Sequence, residues 1–528
     1  MSEQKAAKTD PISSGTDKAL SPKELALKGT VYSATNVVSS IVISIVQVRI
    51  LLHCWSPREY GLWGSLFSAG NLALSISLGY QYFTGYRLLL EWYQSPESLS
   101  SIISQARRAL WVFTGIQAIV ALAAAWIGLN GVKMNLVAVV CLVIFVLVTS
   151  WPTGMWGILI KLYIPQGKYV RSIQWQLLLR ILQFVATIIV AAIGFGAAGA
   201  IAGYALVTII CLCLSLHDAM QWRNPQALHG TSTLVKGQSH LVGSFVTSTV
   251  NLCDALFLNG MVLVVGLRVG LEAVPVFTTQ RTLSNIAIQG VSLVFHPYQA
   301  EVVRYHVNRS HKALGNFFSA YWLILVFLYN PIVIILIHFL PSIYQSWTAG
   351  KLKLEAVLLA SLFASVCLRS LGAPFSEYYA VTNQNRKQLS ISVTRLLVVF
   401  SSAFLLAPNY GLVGIGVSIL AGEIVAAVLI PASLFANACR LADGAYFPTR
   451  SFLCAGASVM LVLFCLAIFG KTSKFELPLV SLALVTNVVV GAIMWVNADI
   501  AVKNGLLSIM TIAFKNLKCM ISPDVAVT

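Results

Sequence analysis

Fourteen runs of about twenty mostly apolar residues follow one another along the 528-residue chain, and short polar loops separate them. A helix needs about 20 apolar residues to cross the roughly 30 Å hydrocarbon layer of a membrane. The runs lie at about 29–51, 60–82, 109–129, 135–159, 174–194, 196–216, 241–266, 274–298, 315–340, 354–381, 389–407, 410–436, 451–470 and 477–497. This pattern predicts an all-α polytopic membrane protein with about 14 transmembrane helices, which we number as spans 1–14.

Two distant stretches share an aromatic residue followed by Gly-x-x-Gly. FGAAGAIAGY begins at Phe195, and YGLVGIGVSI begins at Tyr410, 215 residues later. The same distance separates two pairs of identical residues, Asn36/Asn251 and Arg180/Arg395. Spans 1–6 are therefore expected to recur as spans 7–12, in the same orientation because six is an even number. Parallel repeats of this kind are known in transporters.

The repeat predicts two six-helix lobes around one cavity, with two extra C-terminal helices. The expected arrangement is a cytoplasmic tail and interfacial helix at 1–28, a first lobe at 29–216, a cytoplasmic linker at 217–240, a second lobe at 241–436, spans 13 and 14 within 437–497, and a cytoplasmic tail at 498–528. The loops are short, so we expect no large extramembrane domain.

Several spans carry a polar side chain every three or four residues, which is the period of one helix face. In a membrane the apolar face meets lipid, so the polar face should meet other helices or water. The residues predicted to line a cavity are Arg281, Asn285, Gln289 and His296 in span 8, Arg369 in span 10, Asn36 in span 1 and Asn71 in span 2. In spans 1 and 2, helix packing through small polar residues explains the stripe equally well.

The charged residues within the spans are concentrated in the second lobe. Asp254 and Arg281 are expected at overlapping depths, where they form either a structural ion pair or part of a site for a coupling ion such as H+ or Na+. At the repeat distance, Ser40, Phe67 and Thr153 stand opposite Asp254, Arg281 and Arg369. We therefore predict an anion-attracting wall on the second lobe. Arg49, Arg180 and Arg395 are expected near span ends, with their charges extended towards the interface.

Composition and charge agree with a membrane protein. The chain is 58% hydrophobic and 10% charged, with a mean hydropathy of +0.81. Of its 35 Lys and Arg residues, 23 lie on the side of the two termini and seven on the other side. The positive-inside rule places both termini in the cytoplasm. The net charge of +17 thus comes largely from the Lys and Arg residues that orient the protein in the membrane, and it does not indicate a nucleic-acid partner.

Sequence motifs for cofactor chemistry are missing. The ten cysteines are scattered without a CxxC pair, so we expect neither a disulfide framework nor a metal site. The sequence has no GxxxxGK[ST] loop, so direct coupling to ATP is not expected and no cofactor is predicted.

Two stretches and the layout of the spans point to a known family. The stretches are LALKGTVYSATNVVSSIVISIVQVRILL in span 1 and SPREYGLWGSLFSAGNLALSISLGYQYF in span 2. With the Gly-x-x-Gly starts of spans 6 and 12 and the 6 + 6 + 2 layout, they resemble the polysaccharide transporter, or O-antigen flippase, family of the multidrug/oligosaccharidyl-lipid/polysaccharide (MOP) exporter superfamily. The sequence departs from that family's outline at Pro275, which leaves the start of span 8 open.

The resemblance implies a V-shaped, MATE-like pair of lobes that rock between inward-open and outward-open states in the bacterial inner membrane. It implies a lipid-linked oligosaccharide as cargo, for O-antigen (lipopolysaccharide), capsule or exopolysaccharide synthesis, with membrane lipids, a polysaccharide polymerase and chain-length proteins as partners. A polyprenyl-pyrophosphate glycan is anionic, which suits Arg281 and Arg369.

Two alternatives remain open from the sequence. The same fold could serve a cation-coupled multidrug exporter or a peptidoglycan lipid-precursor flippase, although a drug exporter would favour more acidic residues in the cavity. An integral-membrane polymerase would need clustered carboxylates for acid–base catalysis. The acids on the outer side are instead scattered, at Glu59, Glu272, Glu355 and Glu476. We therefore predict a transporter rather than an enzyme.

Overall fold

The structure is an all-helical bundle. The computed structural model describes residues 22–94, 98–131, 134–166, 168–221, 238–295, 299–382, 384–441, 447–472, 474, 476–500 and 502–503, and this part of the chain contains no β-strand. Ten of its helices are long and apolar enough to cross a membrane, and one of these, Asn385–Asn437, contains both span 11 and span 12. The predicted fold class, an all-α multi-pass membrane protein, is confirmed.

Each predicted span coincides with helical structure. Spans 1–6 are Pro22–Cys54, Pro57–Ser75 with Leu78–Gln94, Leu99–Gly131, Leu136–Leu159, Tyr169–Ala192 and Ala197–Gln221. Spans 7–10 are Gln238–Ala255 with Met261–Arg268, Ala273–Phe295, His311–Ile324 with Asn330–Trp347, and Ala356–Val381. Spans 11–14 are Asn385–Glu423 with Ile430–Leu441, Thr449–Thr472 and Leu477–Val496. A short helix, Gln299–Val307, connects spans 8 and 9. Pro275 lies in the first turn of span 8, where the missing N–H has no helical acceptor.

Several spans are irregular where side chains or extra residues interrupt the α-helical hydrogen bonds. Span 2 breaks between Ser75 and Leu78, where Gln117 of span 3 donates to the carbonyl of Leu74 (3.1 Å) and to the hydroxyl of Ser77 (3.0 Å). Spans 7, 9 and 12 each contain a π-helical turn, at Leu256–Gly260, Leu325–Tyr329 and Ile424–Leu429. Gly411, at a φ of 55°, separates spans 11 and 12. Such a φ favours glycine.

Helix contacts follow the same scheme in the two halves of the chain. In the first half, span 1 packs against 5, span 2 against 4, and span 6 against 4 and 5. In the second half, span 7 packs against 11, span 8 against 10, and span 12 against 10. Spans 13 and 14 pack against span 9, and span 13 also packs against span 10. The exact lobe boundaries stay predictions, and residues 222–237 of the predicted linker lie outside the described residues.

Span 2 provides close backbone contacts between the two halves. A Cβ atom on Gly61 would lie 1.9 Å from the carbonyl oxygen of Leu271, and one on Gly79 would lie 2.2 Å from the Cα of Ser248. These distances are far below van der Waals contact. Only glycine at both positions allows span 2 to approach the second half this closely.

Three side chains join the end of span 1 to the end of span 9 and the loop that follows it. Arg49 donates to the carbonyl of Ser346 (2.8 Å), the indole of Trp347 donates to the carbonyl of Ile45 (2.7 Å), and the ammonium of Lys351 donates to the carbonyl of Leu52 (2.7 Å). These bonds lie at the end of the bundle where span 1 ends, which the charge pattern predicts to face away from the cytoplasm. They close the two halves against each other there.

Asp218 lies at the end of span 6, at the opposite end of the first half. Its carboxylate accepts hydrogen bonds from three side chains. Arg171 binds both carboxylate oxygens (2.6 and 2.8 Å), while the hydroxyl of Tyr163 (2.7 Å) and the indole of Trp175 (2.9 Å) donate to Oδ2. Hydrogen bonds from Tyr163 and Trp175 thus connect the turn that follows span 4, Ile160–Tyr163, and span 5 to span 6. The acceptor is buried, with 8% of its side chain exposed.

Replacing Asp218 by alanine should destabilise the protein by about 2–3 kcal/mol, because three donors lose a shared buried acceptor. Thermal unfolding of the purified protein in detergent measures the change. Lys353→Ala is the matched control, since the Lys353–Glu355 pair is exposed and such pairs contribute about 0–1 kcal/mol. Equal unfolding temperatures for the two variants would contradict a structural role for Asp218.

Candidate functional site

Five charged side chains meet inside the second half of the bundle. They come from five spans and interact electrostatically with one another: Asp254, Arg281, Arg369, Arg395 and Glu423. We call this group the charge cluster. A charge in the middle of a span costs about 2.5–3.5 kcal/mol on insertion scales, so such residues usually serve a function. The cluster is therefore the candidate site.

Arg395 forms ion pairs with both carboxylates of the charge cluster. Its Nε lies 3.4 Å from Oε1 of Glu423, and its Nη1 lies 3.6 Å from Oδ1 of Asp254. Only 7% of the Arg395 side chain is exposed. The expectation that Arg395 extends to the interface is thus wrong. Span 11 begins at Asn385, so Arg395 lies ten residues, about 15 Å, along the helix.

The predicted pair between Asp254 and Arg281 is also wrong. Asp254 contacts Arg395 and accepts a hydrogen bond from the hydroxyl of Ser392 (3.4 Å). Arg281 instead donates to two backbone carbonyls of span 7, those of Leu258 (2.6 Å) and Phe257 (3.3 Å). Both carbonyls belong to the π-helical turn, where the regular i→i−4 hydrogen bonds are interrupted. The turn offers Arg281 main-chain acceptors in place of a carboxylate.

Aromatic rings complete the surroundings of Arg281. Its guanidinium lies 5.4 Å from the ring centre of Phe257 and 5.5 Å from that of Phe277, both within cation–π range. The Arg395 guanidinium lies 5.6 Å from the same Phe257 ring. Phe257 therefore contacts two of the three arginines and helps to hold their positions.

Arg369 differs from the other two arginines because its guanidinium is free. Among the residues that the structure describes, none forms a hydrogen bond or an ion pair with it, and its side chain is partly exposed. Its charge interacts with those of Arg281 and Arg395, with the two carboxylates of the cluster and, more weakly, with Glu377, eight residues further along span 10. Since Arg395 already holds both carboxylates, Arg281 and Arg369 remain without a carboxylate partner. The cluster, with three guanidinium groups and two carboxylates, has a formal charge of +1.

The charge cluster is accessible on one side. Asp254 exposes 44% of its side-chain surface, although it lies in the interior of span 7 and is held by Arg395. Acidic side chains within a membrane span almost always face the bundle interior or a water-filled cavity, so this accessible surface is expected to border water rather than lipid. Asn285, one turn beyond Arg281 on span 8, is half-buried. These positions support a hydrated chamber next to the cluster.

The structure brings together only some of the residues that the sequence predicts for the site. Asp254, Arg281 and Arg369 belong to the charge cluster, whereas Asn36 and Asn71 lie in spans 1 and 2 of the first half. The side chain of Gln289 and the whole of His296 lie outside the described residues. Glu423 and Arg395 were not predicted site residues. The helix of span 11 begins at Asn385, about one turn before its apolar run. The polar residues of that turn were the feature of the sequence that could have indicated that Arg395 lies well inside the helix.

A separate cavity lies between spans 1, 8 and 9 and contains none of the predicted site residues. It has a volume of about 580 Å³ and a mostly apolar lining: Ile45, Val46, Arg49, Ile50, Leu283, Ile286, Ser342, Ile343, Ser346 and Trp347. Leu283 lies two residues from Arg281 along span 8. Span 8 thus contributes both to this apolar cavity and to the charge cluster.

Comparisons with known proteins identify the fold. No protein-family model and no curated protein sequence matches the chain. Among solved structures, the chain is similar to the inward-facing conformation of a multidrug resistance MATE family transporter of the MOP superfamily, with 15% identity and a TM-score of 0.58 over 80% of this chain and 95% of the other. The outward-facing conformation of such a transporter matches with 14% identity and a TM-score of 0.53 over 84% and 96% of the two chains.

A lipid II flippase, MurJ, in an inward closed conformation has a similar structure. Its identity is 13% and its TM-score 0.55, over 88% of this chain and 98% of the other. The protein therefore has the fold of MOP superfamily members, and the MATE-like architecture predicted from the sequence is confirmed. At 13–15% identity the similarity concerns the fold. Membership of the O-antigen flippase family stays a prediction.

Proposed function

We propose that this protein is a flippase of the bacterial inner membrane that translocates a lipid-linked oligosaccharide, a polyprenyl-diphosphate glycan, for surface polysaccharide synthesis. The observation that carries the proposal is the free guanidinium of Arg369 beside Arg281, within the membrane-spanning bundle. A site with surplus positive charge and accessible surface selects an anion.

A diphosphate fits the charge cluster because of the geometry of guanidinium groups. Each one presents paired N–H donors that match two phosphate oxygens, and such charge-assisted bonds are about twice as strong as neutral ones. The negative charge of the ligand would also relieve the repulsion between Arg281 and Arg369. Binding would thereby provide hydrogen-bond acceptors for the guanidinium of Arg369, which has none among the described residues.

Transport requires the two lobes, proposed at 29–216 and 241–436, to rock around this site. Where span 1 ends, they are held together by side-chain-to-carbonyl bonds from Arg49, Trp347 and Lys351 and by the close packing of Gly61 against Leu271. Opening at that end exchanges these bonds for bonds to water, at a low cost per bond. Alternating access around the charge cluster is therefore energetically feasible.

Location, coupling and partners follow from the charge pattern and the chemistry of the cargo. The excess of Lys and Arg near the termini supports cytoplasmic N- and C-termini. The accessible carboxylate of Asp254 is the proposed site for a coupling ion, H+ or Na+. A polysaccharide polymerase and chain-length proteins would consume the cargo after translocation.

A peptidoglycan lipid precursor also carries a diphosphate, so the charge cluster fits a flippase for that cargo as well. Only the sugar attached to the diphosphate distinguishes the two proposed cargoes. A cation-coupled multidrug exporter fits less well, because the net positive charge cluster repels the cationic compounds that such exporters carry. Both alternatives keep the fold and change the cargo.

Reconstituted vesicles can test the proposed cargo directly. A fluorescent polyprenyl-diphosphate oligosaccharide is placed in the inner leaflet, and its arrival outside is followed with a membrane-impermeant reductant. Protein-containing vesicles should translocate this lipid faster than its monophosphate analogue, and should not export a cationic dye. Export of the dye without translocation of the diphosphate lipid would refute the proposal.

A further inference from the structure

Arg180 of span 5 occupies the position of the first half that corresponds to Arg395 in the second half, 215 residues later. Span 5 begins at Tyr169, so Arg180 lies eleven residues, about 16 Å, along the helix. The expectation that it extends to the interface is therefore wrong, as it is for Arg395. The two halves each hold a guanidinium at the same depth of the same helix.

The side chain of Arg180 projects away from lipid. The exposed face of span 5 is apolar and carries Leu178, Ile181, Leu182, Val185 and Ile189. At 100° per residue, Arg180 lies opposite the centre of that face, on the side of the fully buried Thr187. Its Nη1 donates to the side-chain oxygen (3.2 Å) and the backbone carbonyl (3.3 Å) of Asn36 in span 1. Arg180 therefore points into the bundle.

The surroundings of the two arginines differ in charge. Arg395 is neutralised by Asp254 and Glu423. The corresponding positions of the first half hold Ser39 or Ser40 and Thr208, none of which carries a charge. Thr208 is buried and accepts a hydrogen bond from Gln183 (2.8 Å). No described carboxylate lies within 4 Å of Arg180, so its charge is uncompensated, unlike that of its counterpart.

We propose that Arg180, held by Asn36, is a second anion-binding residue on the first lobe, and that it binds the same diphosphate headgroup as Arg281 and Arg369. The inference rests on the proposed function. A diphosphate carries more negative charge and more acceptor oxygens than a monophosphate, so it can bind guanidinium groups on both lobes more strongly. The headgroup would then draw the lobes together, which links binding of the cargo to the conformational change.

Binding of two short probes, farnesyl diphosphate and farnesyl monophosphate, to the full-length protein in detergent tests this inference by calorimetry. The wild type should bind the diphosphate about tenfold more tightly than the monophosphate. Arg180→Gln should remove most of that preference, and Arg180→Lys should retain part of it. Thermal unfolding of each variant checks that the fold is intact.

Thr208→Glu provides an independent variant that keeps the arginine. It places a carboxylate where the second half has Glu423, so it should neutralise Arg180 and weaken diphosphate binding about tenfold. Thr208→Gln, of the same size without the charge, should bind like the wild type.

The outcomes separate the two proposals. If the wild type prefers the diphosphate and Arg369→Ala weakens its binding while Arg180→Gln and Thr208→Glu do not, the role of Arg180 is overturned and the proposed function stands. If the wild type has no preference for the diphosphate, both are overturned.

Discussion

Arg369→Ala should abolish most transport without destabilising the protein. A charge-assisted hydrogen bond contributes about 1.5–3 kcal/mol, so losing the free guanidinium should reduce translocation of a diphosphate lipid by about 10- to 150-fold. The unfolding temperature should stay close to that of the wild type, because no described residue forms a hydrogen bond or an ion pair with Arg369. Its repulsion by Arg281 and Arg395 is offset by attraction to Asp254, Glu423 and Glu377. Loss of activity without loss of stability is expected of a residue kept for binding.

The measurement combines the vesicle translocation rate with thermal unfolding and the amount of protein in the membrane. Arg108→Ala is the matched control, since Arg108 is exposed near the start of span 3 and lies outside the charge cluster. Its rate should equal that of the wild type. Normal translocation by the Arg369 variant would contradict a binding role for this residue.

Glu423→Leu should have the largest effect on stability. Glu423 is 2% exposed and forms the shorter of the two contacts of Arg395. Removing one partner of a buried ion pair costs about 3–5 kcal/mol, and the partly exposed carboxylate of Asp254, 3.6 Å from Arg395, compensates the remaining charge only in part. Thermal unfolding in detergent should therefore show a marked loss for this single variant.

The double variant Arg395→Met with Glu423→Leu tests whether the loss of stability in Glu423→Leu comes from the broken ion pair. Replacing both buried partners by apolar residues is often neutral. Asp254 also loses its contact with Arg395, but 44% of its side chain is exposed, so the double variant should regain much of the lost stability. If instead the two single effects simply add, Arg395 and Glu423 do not stabilise each other.

The helices follow directly from the sequence, because the length of an apolar run and the cost of unpaired backbone groups in lipid leave only one solution. The charge cluster was only partly predictable. Asp254, Arg281 and Arg369 stand out as charges inside apolar runs, so their importance is visible in the sequence. Their partners are not, because Arg281 binds carbonyls of a π-helical turn and backbone acceptors leave no side-chain pattern.

The predicted depth of Arg180 and Arg395 in the membrane was wrong because the helices of spans 5 and 11 begin with polar residues, before their apolar runs. The apolar run of span 11 begins near residue 389, but the helix begins at Asn385. Span 5 is similar, with a predicted start near 174 and an observed start at Tyr169. A difference of about one turn moved Arg180 and Arg395 from the expected interface into the bundle. Comparison of the repeats correctly predicted that Arg180 and Arg395 occupy equivalent positions. It did not predict that only Arg395 has carboxylate partners, because that depends on which side chains meet between neighbouring spans.

A hydrated chamber beside the charge cluster is the central requirement of this account, and cysteine labelling tests it most directly. In a background without the ten native cysteines, Asn285→Cys introduces a thiol next to the cluster, and Leu397→Cys introduces one on the exposed apolar face of span 11. Only a thiol in contact with water ionises and reacts with a charged, membrane-impermeant thiosulfonate. We predict rapid labelling at position 285, faster with the anionic than with the cationic reagent, and none at 397. Absence of labelling at 285, in protein that still transports, would contradict the account.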